Sequence, residues 1–128
     1  MGGAWRRRTT GMHPIRGIGR EPDLFARGDN CLYTIRVLFE WDPRKAHANL
    51  RAHGIGFAEA VTALEDAFAL TREDPDAVGE QRFVTLGLSG QANLLVVVYA
   101  YREPDIVRML SAWRANKRQR ELYEKGRG

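Results

Sequence analysis

Residues 82–101, RFVTLGLSGQANLLVVVYAY, determine the type of fold that the rest of the chain can adopt. Apolar side chains alternate with other residues in the first half of this stretch and are continuous in the second half. Alternation is typical of a strand with one buried face, whereas a continuous apolar run is typical of a strand buried on both faces. Because only the turn at residues 89–92 separates them, the two strands are predicted to form an antiparallel hairpin in the centre of a sheet.

Further strands are predicted on both sides of this hairpin. One lies at residues 68–71, another at residues 106–113, and a short β-prone run is found at residues 36–41. Short connections between the last three strands predict an antiparallel meander, since only tight turns are needed to join them.

Two helices are predicted between the first strand and the second. Asp42 is a good N-cap, Pro43 suits the first helical turn, and Gly54 suits a left-handed C-terminal stop. These signals predict a helix over residues 43–53. The apolar residues of 57–64 recur with a helical period and predict a second helix.

A third helix is predicted at the C-terminal end of the chain. Asn116 and Gln119 have the spacing of a capping box, and Leu122 and Tyr123 are placed to pack the helix on the sheet. The predicted order is β-α-α-β-β-β-β-α. This order favours an α+β fold, in which two N-terminal helices and one C-terminal helix pack against a small antiparallel sheet.

The 128 residues are enough for one ordinary domain. Residues 1–35 show neither a helical nor a strand period, and are predicted to be a poorly ordered N-terminal extension. Residues 36–124 are predicted to form the folded domain, and residues 125–128 a short tail. The longest apolar run is strand-sized, and there is a single cysteine, so we expect a cytoplasmic protein with no membrane span and no internal disulfide.

The net charge of +4 is unevenly distributed. Residues 1–36 hold seven arginines and three acidic residues, whereas residues 37–128 hold thirteen basic and thirteen acidic residues. Within the second part, residues 108–128 contain seven basic and two acidic residues. This basic stripe suits local contact with a polyanion, but a solvated helix face explains it equally well.

No metal or cofactor site is predicted. His13, His47 and His53 lack the spacing of metal ligands, and no glycine-rich phosphate loop is present.

Polar side chains nevertheless gather at the ends of the predicted elements. Such a set suits a reaction in which the substrate brings its own nucleophile, as RNA does when its 2′-hydroxyl attacks the adjacent phosphate. The predicted catalytic residues are Arg82, Arg108, His53 and Lys45, and the predicted RNA-binding residues are Arg114, Lys117, Arg118, Arg120 and Tyr123.

Each of these residues also has a purely structural interpretation. Arg82 and Arg108 suit ion pairs with Glu80 or Asp105, and His53 suits a cap on the last helical carbonyl groups. For Tyr123 the favoured interpretation is an anchor for the last helix, and for Lys45 the spacing alone favours a surface residue.

Two further side chains have open interpretations. Trp113 is interpreted as a core or interface aromatic residue, or as a platform for a base. Glu59 is interpreted as extending an exposed helix face.

Short motifs along residues 37–124 resemble the BrnT toxins of bacterial type II toxin–antitoxin systems. They are FEWDP at 39–43, HG at 53–54, E-x-R at 80–82, LLVVV at 94–98 and A-x-x-R-x-R-x-x-Y-E at 115–124. The resemblance implies a RelE-like fold and a metal-independent ribonuclease that inhibits translation. It also implies a BrnA-like antitoxin as partner, which has a ribbon-helix-helix domain. Operator DNA would be contacted only through this domain of the antitoxin.

The chain departs from the family pattern at two positions. It has Ala52 where the family usually has lysine, and Trp113 where the family usually has arginine. Arg114 replaces the missing arginine only if a bulge turns it to the other face of its strand. Two alternatives to the toxin therefore stay open, a catalytically weakened toxin-fold module that binds its antitoxin and co-represses the operon, and a plain nucleic-acid-binding domain.

Overall fold

The computed structural model of the protein describes residues 5–7, 25–26, 31–33 and 37–127. These residues form strands and three helices, so the predicted α+β class is confirmed. The strands are β1 (Arg6–Arg7), β2 (Phe25–Ala26), β3 (Cys31–Tyr33), β4 (Leu38–Glu40), β5 (Leu70–Glu73), β6 (Gln81–Leu88), β7 (Leu94–Arg102) and β8 (Ile106–Arg114), and the helices are α1 (Pro43–His53), α2 (Phe57–Leu64) and α3 (Lys117–Arg127).

The strands form one mixed sheet in the order β1-β5-β6-β7-β8-β4-β3-β2. The antiparallel meander β6-β7-β8 is confirmed, and β5 joins it in the same sense. The prediction of a wholly antiparallel sheet is wrong, because β4 pairs with β8 in parallel. Helices α1 and α2 carry the chain from β4 to the far side of the meander. The chain then reverses direction three times, between β5 and β6, β6 and β7, and β7 and β8. The strand β8 therefore lies beside β4 and runs parallel to it.

Most of the N-terminal segment predicted as a poorly ordered extension, residues 1–35, lies outside the described residues, so that domain division stays a prediction. Its described parts extend the sheet at both ends, with β1 paired to β5 and the β2–β3 hairpin paired to β4.

The local signals of the helices act as the sequence predicts. The backbone N–H of Arg44 donates to Oδ1 of Asp42 over 2.8 Å, and Pro43 begins α1. Gly54 has a φ of 73° and donates its N–H to the carbonyl of Leu50, which ends the helix. The capping box of α3 is also formed, because Asn116 and Gln119 exchange two hydrogen bonds of 2.8 Å.

The sheet buries a core on each face. Neighbouring residues of β7 alternate between the two cores, so that Leu95 and Val97 pack with α2 while Leu94 and Val96 pack with Tyr123 of α3. We call the second of these surfaces the α3 face. Among the described residues, no helix combines the length and the apolar character needed to cross a membrane.

Candidate functional site

Arg82 and Arg108 lie on the same face of the sheet. Each is directly opposite Ala100, Arg82 from β6 and Arg108 from β8. Directly opposed residues of an antiparallel ladder project to the same side, and two strand spacings separate the two Cα atoms by about 10 Å. Val96 and Val98 share this side with Ala100 by the two-residue period. The structure therefore brings the two predicted arginines together on the α3 face.

Both arginines pair with a carboxylate. Nη2 of Arg82 lies 3.1 Å from Oε2 of Glu80, and Nη1 of Arg108 lies 3.4 Å from Oε2 of Glu40. The ion-pair interpretation is thus correct for Glu80, whereas the partner of Arg108 is Glu40 rather than Asp105. Nη2 of Arg102 also lies 3.8 Å from the same Glu40 oxygen.

The two guanidinium groups keep donors for an incoming ligand. Their side chains are 37% and 34% exposed. A guanidinium has five N–H donors, so one carboxylate does not saturate it. The Nε atom of Arg82 is buried and has no hydrogen-bond partner within the described part of the chain. The pair is therefore held in place by carboxylates and still able to bind an anion.

Arg72 is a third arginine of the α3 face, and the sequence interpretation missed it. It is opposite Val84, which is two residues along β6 from Arg82 and on the same side. Its guanidinium lies 5.1 Å from the ring centre of Trp5, within the range of a cation–π contact. The predicted strand ended at residue 71, two residues too early. The two-residue alternation that begins at the buried Leu70 was the signal that could have placed Arg72 in this strand.

Asp105 holds the hydroxyl group of Tyr101 instead of pairing with Arg108. That hydroxyl donates to Oδ1 of Asp105 over 3.1 Å. Burial, and after it the hydrogen bond and the negative charge of Asp105, raises the pKa of Tyr101 above its ordinary value of 10.0. The phenol therefore stays protonated at neutral pH.

His53 lies at the C-terminal end of α1, beside Trp113 and Arg114. The ring centres of His53 and Trp113 are 6.0 Å apart with a tilt of 43°. Nη1 of Arg114 donates to the backbone carbonyl of His53 over 3.2 Å. Together with Ala52 these residues line an open depression of about 600 Å³.

A bulge is present in β8, but it does not turn Arg114 to the α3 face. The register with β7 shifts between Val98 and Tyr99, which leaves Leu110 as the extra residue. Beyond the bulge Trp113 is opposite Val96 and shares the α3 face, whereas Arg114 is on the other face, where it caps α1.

The depression and the arginine pair are separate parts of the surface. Val96, opposite Trp113, is four residues from Ala100 along β7, or about 13 Å. Lys45 is exposed in the first turn of α1. Within the described residues no hydrogen bond or ion pair joins Lys45 or the His53 side chain to either arginine.

Asn49 is the buried polar residue that fixes α1 on β8. Its Nδ2 donates to the carbonyls of Ile55 and Ala112, both over 2.9 Å. Its Oδ1 accepts from the hydroxyl of Ser111 and from the backbone N–H of Ala112. One side chain thereby positions the end of β8 that carries Trp113 and Arg114.

Glu59 does more than extend an exposed helix face, so that interpretation is wrong. Its Oε2 accepts from Oγ of Ser89 and from Nδ2 of Asn93, both over 2.7 Å. The carboxylate thereby fixes the turn between β6 and β7, the two strands that carry Arg82 and Ala100.

Three of the five basic residues of α3 are at its N-terminal end. Lys117, Arg118 and Arg120 are exposed, and the first turn contains no acidic residue. Cations at this end oppose the helix dipole, so their placement lowers helix stability and concentrates positive charge.

Tyr123 of the same helix is buried, and its hydroxyl donates to Oδ2 of Asp66 over 2.5 Å. These contacts are those of the favoured anchor. An RNA-binding role for Tyr123 stays a prediction.

The chain matches a known family. A sequence model of the family described as "Ribonuclease toxin, BrnT, of type II toxin-antitoxin system" matches residues 41–119. This range runs from the residue before the N-cap of α1 to the capping box of α3, and it includes both arginines and the depression. No curated protein matches the chain.

Proposed function

The chain belongs to the BrnT family of ribonuclease toxins of type II toxin–antitoxin systems, and from this premise we propose that it cleaves RNA without a metal ion. The 2′-hydroxyl of the substrate attacks the adjacent phosphate, the 5′-oxygen leaves, and loss of intact RNA inhibits translation. The proposal places the toxin in the cytoplasm, and a BrnA-like antitoxin neutralises it. Operator DNA is contacted only through that antitoxin.

The observation that carries this proposal is the position of Arg82 and Arg108 on either side of Ala100. Attack on the phosphate produces a pentavalent phosphorus with additional negative charge. Guanidinium groups remain charged at all physiological pH values and form paired hydrogen bonds with phosphate oxygens. Two of them about 10 Å apart at the backbone converge on one phosphate between their side chains. They therefore stabilise the transition state more than the substrate.

The remaining predicted residues are assigned to substrate binding and proton transfer. Lys117, Arg118 and Arg120 supply positive charge beyond the end of β8, and RNA binding should weaken steeply as salt rises. His53 and Lys45 stay the predicted groups for proton transfer or for holding RNA. Their distance from the pair implies that an RNA strand, rather than a single phosphate, connects the two parts.

A second candidate function is a toxin-fold module with weakened catalysis that binds its antitoxin and co-represses the operon. The observation that favours it is the location of Ala52 and Trp113 in one depression. Both positions lack the cation that the family usually has there. If the reaction needs these two cations, this chain lacks both of them in the same depression, and its catalysis is weakened there.

Induction of the full chain in a bacterial host separates the two functions. The ribonuclease should stop growth and produce new RNA ends with 5′-hydroxyl groups, and Arg82→Ala or Arg108→Ala should abolish both effects. Arg44→Ala is the matched control, because that side chain is 96% exposed at the start of α1. Co-expression of the ribbon-helix-helix protein encoded beside the toxin should restore growth. Normal growth together with tight binding of that protein would instead establish the binding module.

A further inference from the structure

We propose that the depression lined by Ala52, His53, Trp113 and Arg114 binds one unpaired base of the RNA strand, and that this base is guanine. This inference rests on the proposed function, because it assigns a specificity site to the same RNA substrate. It concerns a base at a distance from the cleaved bond, and not the reaction itself.

The rings of the depression are arranged to receive a flat ligand. The ring centres of His53 and Trp113 are 6.0 Å apart with a tilt of 43°, too close for a base to enter between them, so a base stacks on the side of a ring that faces the depression. Ala52 contributes only a methyl group, so the opening is not filled. Bases of single-stranded RNA bind proteins by stacking on such aromatic surfaces.

Arg114 provides hydrogen-bond donors in a fixed direction. Its Nη1 is held by the His53 carbonyl, and the other donors of the planar group remain for a ligand in the depression. Two parallel N–H groups of arginine match O6 and N7 of guanine better than the acceptors and donors of any other base. The pairing of aromatic rings with a fixed guanidinium therefore favours guanine.

The position of the depression determines which base is bound. Trp113 and Arg108 are both on the α3 face. The residues of β7 opposite them are Val96 and Ala100, and the half-buried Val98 lies between these two residues. A length of about 13 Å along the sheet is more than adjoining nucleotides cover. The base in the depression is therefore at a fixed offset from the phosphate at Arg82 and Arg108.

A binding experiment tests the site without requiring cleavage. The probe is a short single-stranded RNA that contains guanine and has methylated 2′-hydroxyls, so that it remains intact. Trp113→Ala in the full chain should weaken binding about tenfold, and Trp113→Phe should restore most of it. Leu50→Ala is the matched control, since Leu50 is 51% exposed on the same helix as Ala52.

Trp113 packs partly in the core, so Trp113→Ala could weaken binding through a folding defect. A second variant tests the site without this defect. Ala52 is exposed, so Ala52→Leu should leave the fold intact while filling the depression. It should weaken binding of the same RNA by a similar factor. Wild-type affinity in both Ala52→Leu and Trp113→Ala would overturn the inference.

Mapping of RNA ends tests the choice of base. The wild-type chain should enrich guanine at one fixed offset from the cleavage site, and the products formed by Arg114→Ala should lack this enrichment. Unchanged enrichment in Arg114→Ala would refute the assignment of guanine. Absence of any cleavage would refute the proposed ribonuclease, and the binding experiment would still decide whether the depression takes a base.

Discussion

Arg82 and Arg108 are related through Ala100, which is opposite each of them in a three-stranded antiparallel ladder. Their separation is set by backbone hydrogen bonds of the sheet, which are far stiffer than a loop. Such a framework costs little reorganisation when negative charge develops between the two groups. The relationship predicts that the two arginines act as a unit.

Double substitution of the arginines tests this unit. Arg82→Ala and Arg108→Ala should each lower kcat/KM for a short RNA by about a hundredfold. The double variant should lose less than the product of the two factors, because one remaining guanidinium no longer bridges the phosphate. The measurement is cleavage of a labelled RNA by the purified full chain. Losses that simply multiply would show that the two groups act independently.

Lysine substitutions provide the charge control for the same experiment. Arg82→Lys and Arg108→Lys retain the positive charge but lose the paired donors. They should retain more activity than the alanine variants and less than the wild type. Full activity in both would show that charge alone is sufficient.

The sequence predicted those elements whose signals are local. Asp42, Pro43 and Gly54 defined both ends of α1, and the spacing of Asn116 and Gln119 defined the start of α3. These signals act within a few residues, so no knowledge of the remaining fold is needed.

Features that depend on distant residues were predicted less well. The parallel pairing of β4 with β8 joins segments more than sixty residues apart, and no local pattern specifies it. The role of Glu59 depends on where the turn with Ser89 packs. That Arg82 and Arg108 share one face, both opposite Ala100, required the register of three strands.

Asn49 should be essential for stability. Asn49→Ala leaves the carbonyls of Ile55 and Ala112 and the N–H of Ala112 without the buried side chain that binds them. Unpaired buried groups are costly, so the free energy of unfolding should fall by about 3 kcal/mol in urea denaturation. Ser111→Ala removes one partner only and should cost about 1 kcal/mol. Equal losses in both variants would contradict this account.

Gly87 should not tolerate a side chain. A Cβ atom at this position would lie within 2.3 Å of the backbone carbonyl oxygen of Ala63, at the end of α2. The backbone must move to relieve the overlap, so Gly87→Ala should lower the free energy of unfolding by about 2 kcal/mol. Gly90→Ala is the control, since its Cβ position meets side-chain atoms of Thr62 at an ordinary 3.7 Å and the change should be under about 0.5 kcal/mol. A thermal melt of each variant is the measurement.

Tyr101 should lower stability in strongly alkaline solution. Its pKa is raised in the folded state, so above pH 10 the unfolded chain loses the phenolic proton more readily than the folded chain. The contribution is fully present below pH 10 and is lost as pH rises towards the folded pKa. The stability of the wild type relative to Tyr101→Phe should therefore fall above pH 10 and stay constant below it. An ultraviolet titration of both proteins should also show this phenol ionising above 10, and a lower midpoint would contradict the prediction.

Glu40 should limit the affinity of the α3 face for RNA. Its carboxylate pairs with Arg108 and lies within 3.8 Å of Arg102, so it offsets positive charge where phosphate is proposed to bind. Both partners are partly exposed, and such pairs add at most about 1 kcal/mol to stability. Glu40→Gln should therefore keep the fold and bind uncleavable RNA about threefold more tightly at low salt.

Glu73→Gln is the matched control for Glu40→Gln. It removes the same charge from an exposed position opposite Phe83, which packs in the core of the other face. Because the sheet separates Glu73 from the arginines, its replacement should leave RNA affinity unchanged within about twofold. Weaker binding by Glu40→Gln would show that the Glu40 carboxylate acts mainly by orienting Arg108 towards the phosphate. Its neutralisation of the Arg108 charge would then be the smaller effect. In that case the ion pair would be part of the binding site, and binding would depend less steeply on salt in Glu40→Gln than in Glu73→Gln.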